Sequence, residues 1–415
     1  MNTKVRFFVF IIIMLCFFLE GQAFSQNKKV FGNISTPPPA INKTQNFAVI
    51  AYYPIWSVCD MPPQKLDWKA FSHLIFFWGE PTSTYPYFNL VANSCDSTIF
   101  ENGGVCGGTG WCLNSLDNGS NGRTHQAILH ESAKANGVKL LLCVGGETGN
   151  PASMFADIIA DTIKQDAFIQ AAVGFASRHG YDGIDIDWEF PTRGAVGRAN
   201  YTRFLTKLRA QLNSWHNRGL LTMAVPTWFW WDQSKTDPVI DVGTLNTVVD
   251  FIDLMEYGMQ NSDHISHYSP LYQNPEVSQE TWNLRGINEW KQAGVDSSKL
   301  ITLIPFEAIH VTDNNATLPV AIGHASGGSQ WIGLRDIPST VILHWDDNAK
   351  ANWAEQGNTF YSFENQTSII AKVQYAKNQH IGGVGIWELW RGWLPNAPAG
   401  QQDPLLQALK NAIGP

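Results

Sequence analysis

Short runs of β-branched, aromatic and aliphatic residues recur along the chain at 47–53, 71–77, 139–144, 183–186, 220–225, 251–255, 300–304 and 382–387. They are largely continuous rather than alternating, which is the pattern of strands in a parallel sheet covered on both faces. Between them, residues 166–179, 199–215, 280–293 and 367–378 carry apolar side chains at helical spacing, with Gly180, Gly219 and Gly294 near their ends as stop signals. Strands and helices in this alternation predict an α/β fold, a (β/α)8 TIM barrel. A doubly wound open sheet is the alternative, but no G-x-G-x-x-G follows the first strand to support a dinucleotide site. Two inserts interrupt the rhythm: 80–123, rich in Gly, Asn, Ser and Cys, and 308–344 after the seventh strand. In a barrel both become loop insertions on the C-terminal face, where the segments after strands build the site.

Composition narrows the partners. Of 415 residues 44% are hydrophobic and only 15% are charged, against roughly 25% charged in ordinary soluble proteins. The formal net charge is -8 and no Lys/Arg-rich run is present, which argues against nucleic acid and against an anionic membrane surface. The 17 Trp outnumber the 11 Tyr, so the chain has flat apolar platforms to offer a neutral, hydroxyl-rich ligand, although large core aromatics would give the same count.

Lys4 and Arg6, the apolar run 7–19 and small residues at Ala23 and Ser25 have the layout of a secretory signal peptide over 1–25. The run is shorter than the ~20 residues of a retained anchor, so no membrane span is expected after its removal. Residues 26–46 read as a polar, Pro-containing leader, and one folded domain is expected over 47–415. Localisation is then secreted or extracytoplasmic, and a monomer is expected. Cys59, Cys95, Cys106, Cys112 and Cys143 remain in the mature chain. Three of them, Cys95, Cys106 and Cys112, crowd one Gly-rich stretch suited to a disulfide, and the odd total leaves at least one thiol unpaired.

The candidate chemistry is concentrated in Asp182-Gly183-Ile184-Asp185-Ile186-Asp187-Trp188-Glu189-Phe190-Pro191. Side chains alternate along a strand, so Asp185, Asp187 and Glu189 share one face while Ile184, Ile186 and Trp188 take the other. Like charges so close cannot all ionise cheaply, and at least one should hold a proton near neutral pH. Glu189, reaching furthest into the barrel mouth, is the candidate general acid. A calcium site would want more oxygen ligands from a flexible loop. Other signals are weak, and no metal or cofactor is called for. His264-x-x-His267 lacks a third ligand and reads as surface or hydrogen-bonding histidine; the Gly103–Gly110 stretch lacks a phosphate loop's Lys-Ser/Thr ending, and no nucleophile-elbow serine is present.

On these residues the sequence resembles glycoside hydrolase family 18, the chitinase family. Asp182, Asp185, Asp187 and Glu189 match its D-x-x-D-x-D-x-E mark in full. Ala51-Tyr52-Tyr53-Pro54 with Trp56 looks like the family's first strand, and Met255 and Tyr257 look like its M-x-Y-D. Pro270-Leu271-Tyr272, Trp345-Asp346 and the strand ending at Trp387 look like further landmarks. The resemblance implies a catalytic domain from Phe47 onward and a polysaccharide or glycan substrate containing N-acetylglucosamine, cleaved by substrate-assisted retaining catalysis. Glu189 would protonate the glycosidic oxygen, Asp187 would hold the substrate's acetamido N–H, and Asp185 would share a proton with Asp187. Tyr257 would bind the acetamido oxygen and Trp387 would floor the distorted sugar. Substrate contacts are expected from Tyr53, Phe77, Met255, Trp56, Trp78, Trp228 and Trp230, at least one of the run Trp228-Phe229-Trp230-Trp231 staying exposed. Structural support falls to Asp182, whose parity is wrong for the site, and to Gly145 and Gly146.

Several positions depart from the family pattern. Cys143 replaces the serine of S-x-G-G, Gly258 stands where M-x-Y-D has its Asp, and Pro305-Phe306-Glu307-Ala308 lacks the Tyr and Gly of P-x-Y-G. Gln260 or Asn261 could supply a substitute polar group. The segment after Ala308 is too short for the full insertion domain that walls the cleft in many chitinases. Two alternatives to a chitin hydrolase therefore stand: an endo-β-N-acetylglucosaminidase acting on N-glycan chitobiose cores, and a non-catalytic sugar-binding protein on the same scaffold.

Overall fold

The computed structural model describes residues 47–58, 60–90, 125–147, 151–215, 217–258, 265–275, 283–312 and 329–414. Its strands are β1 (Ala48–Pro54), β2 (His73–Pro81), β3 (Phe88–Leu90), β4 (Lys139–Gly145), β5 (Gly183–Asp187), β6 (Leu220–Pro226), β7 (Phe251–Met255), β8 (Leu300–Pro305), β9 (Ala308–Thr312), β10 (Ser329–Ile332), β11 (Ile342–Asp346), β12 (Ala351–Gln356), β13 (Thr359–Phe363) and β14 (Gly383–Trp387). Strands β1, β2, β4, β5, β6, β7, β8 and β14 pair in parallel in that order, and β14 pairs back onto β1, closing the predicted barrel.

Continuous apolar strands are what this closure requires. One set of alternate residues (Val49, Ala51, Tyr53, Leu74, Phe76, Ile184, Ile186, Trp188) joins the large core between strands and helices. The other set (Ile50, Tyr52, Ile75, Phe77, Leu141, Cys143, Ile301, Leu303) fills the barrel interior. Helices at His125–Ala135, Pro151–Ala160, Thr162–Arg178, Gly194–Asn213, Val242–Val248, Asn283–Gln292, Gln366–Asn378 and Pro404–Ile413 surround the strands. The one expected from residue 166 starts at Thr162, because the Asp161 side chain accepts the backbone N–H of Ile163 and Lys164 and caps it there. Among the described residues no helix is long and apolar enough to cross a membrane.

The segment after β8 corrects an expectation. It is a five-stranded antiparallel sheet in the order β10-β9-β13-β12-β11, running to Phe363. Ile342–Asp346, expected to fall at the end of a short insert, is its edge strand, and two further strands follow. A buried ion pair ties its exit to the barrel: Lys372 Nζ, on the helix Gln366–Asn378, meets Glu364 and donates to Ser269 O at 2.6 Å and Ser269 Oγ at 2.8 Å. The insert 80–123 begins as a hairpin of β2 with β3, and its cysteines at 95, 106 and 112, like Cys59, lie outside the described residues. Cys143 is a buried free thiol.

Candidate active site

Strand β5 delivers the carboxylates as parity requires. Asp185 and Asp187 are buried inside the barrel and Glu189 stands just past the strand's end, half-buried in the mouth. Trp188 faces outward against Tyr201 and Phe155, its indole N–H donating to Ala152 O at 3.1 Å. Asp182 sits at the opposite end of the strand, accepting Leu140 N at 3.0 Å and Lys139 Nζ at 2.9 Å, so it pins β5 to β4 and takes no part in the mouth. Gly145 and Gly146 support the ladder. The backbone N–H of Gly146 donates to Asp187 O at 2.7 Å, and a Cβ on Gly145 would lie 1.8 Å from that same oxygen, at a φ of +130° that favours glycine.

Asp185 is the best solvated by protein donors of the three interior carboxyls. Thr222 Oγ1 donates at 2.6 Å and Tyr52 Oη at 3.2 Å, and the Cys143 thiol is hydrogen-bonded to it. Burial nonetheless raises its pKa. Asp187 is raised well above the usual carboxylate range, first by burial and then by Glu189, Asp185 and Asp253, and its Oδ1 meets no hydrogen-bond partner among the described residues. Glu189 is pushed up to about 7 by burial, with Glu147 adding to it. The set can hold a proton near neutral pH at the one carboxyl that faces the open mouth.

Strand β14 lies four strands round the barrel from β5. Its Trp387 packs edge-on against Tyr52 (5.6 Å) and Phe77 (5.6 Å), so an apolar floor of Phe77, Trp387 and Tyr52 lies inside the barrel. Trp56 stands on Phe77 at 5.4 Å and its indole N–H donates to Glu388 Oε2 at 3.0 Å. Met255 and Tyr257 pack on the same interior cluster. Burial raises the Tyr257 hydroxyl, and Glu189, Asp187, Glu307 and Glu388 raise it further. Its ring lies 6.0 Å from that of Tyr268, whose hydroxyl is bonded to Glu307.

Two expected contacts, Tyr53 and Trp230, resolve differently. Tyr53 is fully buried on the outer face, its hydroxyl donating to Met61 O at 2.7 Å, and the interior tyrosine of β1 is Tyr52. Among the four aromatics after β6, Phe229 is fully buried against Trp290, and Trp230 packs on Phe229 and the outer core rather than toward the mouth. Trp228 does remain near the site, with Trp231 at 4.3 Å and the exposed Phe190 at 5.5 Å. The side chain of Trp78, together with Gln260, Asn261 and His264, lies outside the described residues. His267 is buried and bonded to Asp346 Oδ2 at 3.1 Å, a hydrogen-bonding histidine as expected.

The residues that pattern reading missed are Tyr52, Thr222, Asp253 and Glu388. Asp253 was accessible to the same parity argument that found the ladder, since it shares a face with Met255 and Tyr257. Nothing in the β1 run says which of two adjacent tyrosines points inward.

Residues 48–391 match the sequence profile of glycosyl hydrolases family 18, and the chain belongs to that family. Among its relatives are a probable endochitinase of Caenorhabditis elegans, 28% identical over 67% of this chain and 48% of the relative, and chitotriosidase-1 of Mus musculus, 31% identical over 61% and 58%. The chain thus spans about half the length of these two relatives. Chitinase 1 of Aphanocladium album is 25% identical over 86% of this chain and 84% of its own. The fold is shared with a Cycas revoluta chitinase solved in complex with (GlcNAc)3, at a TM-score of 0.71, 20% identity and coverage of 88% of this chain and 99% of that one. It is shared too with YKL-39 solved in the presence of chitooligosaccharides, at 0.73, 19% identity, and 89% and 100% coverage.

Proposed function

We propose that the protein hydrolyses β-1,4-linked N-acetylglucosamine oligomers or chitin with retention at the anomeric carbon. The observation that carries this reading is the ladder itself: Asp185, Asp187 and Glu189 on one strand of a barrel that also holds an aromatic floor at Trp387, with the outermost carboxyl's pKa raised to about 7. Family membership and the chitinase names of its relatives support it.

A sugar ring seated on Trp387 would bring its glycosidic oxygen to Glu189, which donates its proton to the leaving group. The carbonyl oxygen of the sugar's own 2-acetamido group attacks C1, giving a cyclic oxazolinium ion and departure of the aglycone. Asp187 accepts the acetamido N–H and offsets the positive charge of the ring, and Asp185 takes up the proton that Asp187 releases. Tyr257 donates to the acetamido oxygen. Water then attacks C1, losing a proton to Glu189, and the amide is restored. Phe190 and Trp228 offer stacking surface for further sugars beyond Glu189, whereas the Trp231 ring is already covered by the Arg193 guanidinium at 4.6 Å. The signal-peptide pattern of residues 1–25 supports hydrolysis outside the cytoplasm.

The N-glycan alternative loses one support, because the insertion is a five-stranded sheet rather than a short segment, and its Ile309, Val311 and Phe360 pack in one cluster with Tyr257. It keeps another, because a Cβ at the exposed Gly258 would meet nothing within 4 Å among the described residues, which leaves room beside Tyr257 for a branched sugar. Incubation with chitin oligomers beside a high-mannose glycoprotein decides between them. Release of the β-anomer from (GlcNAc)4 to (GlcNAc)6, with the glycoprotein untouched, is the expected result. Glycan release without oligomer cleavage would make the endo-glycosidase the correct reading, and cleavage of neither would leave a binding protein.

A further inference from the structure

Asp253 sits at the middle of β7, fully buried inside the barrel. Its Oδ2 receives the Tyr52 hydroxyl at 3.0 Å, and Asp185 Oδ2 lies 3.2 Å from that same hydroxyl oxygen. Its Oδ1 meets no donor among the described residues. The titratable groups facing it are Tyr52 from β1, Cys143 from β4, and Asp185 and Asp187 from β5. His73 of β2 stands edge-on to Phe251 two residues away. Ala224 of β6 and Ile301 of β8 flank it in register, and no Lys or Arg pairs with it among the described residues.

A phenol has one hydrogen, so it cannot donate to two carboxylates at once. The arrangement is satisfied when one carboxyl is neutral, donates to the Tyr52 oxygen and leaves the phenol hydrogen for the other. Asp185 has Thr222 and Cys143 as additional donors and is the better place for the negative charge. Asp253, with no other partner among the described residues, is the place for the proton, and burial beside Asp185 pushes its pKa well above the usual carboxylate range.

We propose that Asp253 is a positioning residue, a neutral carboxylic acid that donates to Tyr52 and so commits the phenol hydrogen to Asp185. This holds Asp185 ionised beneath Asp187, ready to receive the proton that Asp187 gives up when it engages the acetamido group. The role rests on the hydrolytic reading above and deepens it, since Asp253 touches no substrate and acts only through Tyr52.

The test compares Asp253→Asn, Asp253→Leu, Tyr52→Phe and the Tyr52→Phe/Asp253→Leu pair with the wild type, in kcat and KM on (GlcNAc)4 across pH, with thermal unfolding as a check on folding. The amide is neutral and can still donate to Tyr52, so Asn should lower kcat only about threefold and leave the acid limb of the profile in place. Leucine cannot donate, and the loss of the neutral hydrogen bond that polarises the phenol toward Asp185 should lower kcat about tenfold, with KM little changed. It should also move the acid limb up by about one pH unit, because the Asp185–Asp187 pair is less well stabilised as an anion. The double variant should be no more than about twofold slower than Tyr52→Phe alone, because both substitutions cut one chain of contacts.

If Asn is as slow as Leu in a folded protein, position 253 requires a charge and the proposal is wrong. Additive losses in the double variant would equally overturn it, since Asp253 would then act by packing. Should Asp253→Leu not fold, Asp253→Asn decides alone: an unmoved acid limb with no more than about a threefold loss supports the role, and a loss of about tenfold or a moved limb overturns it. Absence of wild-type turnover overturns the hydrolytic reading and this role with it, whereas wild-type turnover with an inactive Asn variant removes only the role of Asp253.

Discussion

Asp182 and Asp185 stand three residues apart and meet opposite surroundings. At the start of β5 Asp182 has a lysine and a backbone N–H, and Asp250, at the start of β7, has Arg209 at 2.9 Å, Arg218 at 2.8 Å and the N–H of Leu221 at 2.8 Å. Inside the barrel, Asp185, Asp187 and Asp253 are more deeply buried, yet none has a Lys or Arg partner among the described residues. The difference separates two uses of one residue type. A carboxylate given cations ties strands together, whereas buried carboxyls denied them must share protons, and a shared proton is what acid catalysis needs. Glu307 and Glu388 are intermediate: burial raises them to about 7 and about 8, while Tyr268, Trp56 and Arg391 hold them back.

The comparison breaks hardest at Glu189. Glu189→Gln keeps the shape but has no proton to give, and turnover of (GlcNAc)4 should fall by roughly 10²–10⁴ while oligomer binding persists, measurable by calorimetry beside a rate assay. Near-wild-type turnover would remove Glu189 as the acid. On the compensated side, Lys372→Met leaves Glu364 buried without its cation, and the cost should be about 3–5 kcal/mol in denaturant unfolding. A loss under ~1 kcal/mol would mean that the ion pair does not anchor the insertion.

Gly258→Asp sharpens the contrast by adding one more unpaired carboxyl beside Tyr257. The position is exposed and, among the described residues, sterically open, so the new side chain should meet no clash there, although a φ of +71° favours glycine. The added negative charge should raise Glu189 further and move the alkaline limb of kcat/KM to higher pH, with activity down by roughly threefold from backbone strain. A clear gain on linear oligomers, with no loss on any glycoprotein, would instead mark Gly258 as a lost supporting carboxylate. The smallest effect is expected at Lys139→Ala: its bridge to Asp182 is half-exposed and should be worth about 0–1 kcal/mol, with kcat unchanged.

Most of the barrel and half of the site could be read from the chain, and the reasons differ by element. Strand β7 runs over the expected 251–255, where four apolar residues interrupted only by Asp253 form one short run. The ladder was legible because three acidic residues at a period of two inside such a run must line one face of a strand, and no ordinary core strand places charges there. Adjacent Tyr52 and Tyr53 were not separable, since both suit a strand and only register with neighbouring strands decides which one faces inward. The insertion was underestimated because its short antiparallel strands mix polar and apolar residues, as in Ile342–Asp346, without the continuous runs that betray a buried parallel strand. Glu388 escaped because a lone acid after a strand carries no pattern, and its importance depends on the Trp56 and Arg391 that the fold brings to it.

The claim that proton retention in an uncompensated site drives the chemistry is tested most directly by the pH dependence of kcat/KM for wild-type protein on (GlcNAc)4. Glu189 must be protonated to act, and its folded pKa is raised to about 7 by burial and Glu147. The rate should therefore be sustained below that pH and fall roughly tenfold per unit well above it. A rate that stays flat into the alkaline range, or rises with pH through 7, would show that the ladder holds no catalytic proton and would contradict the account.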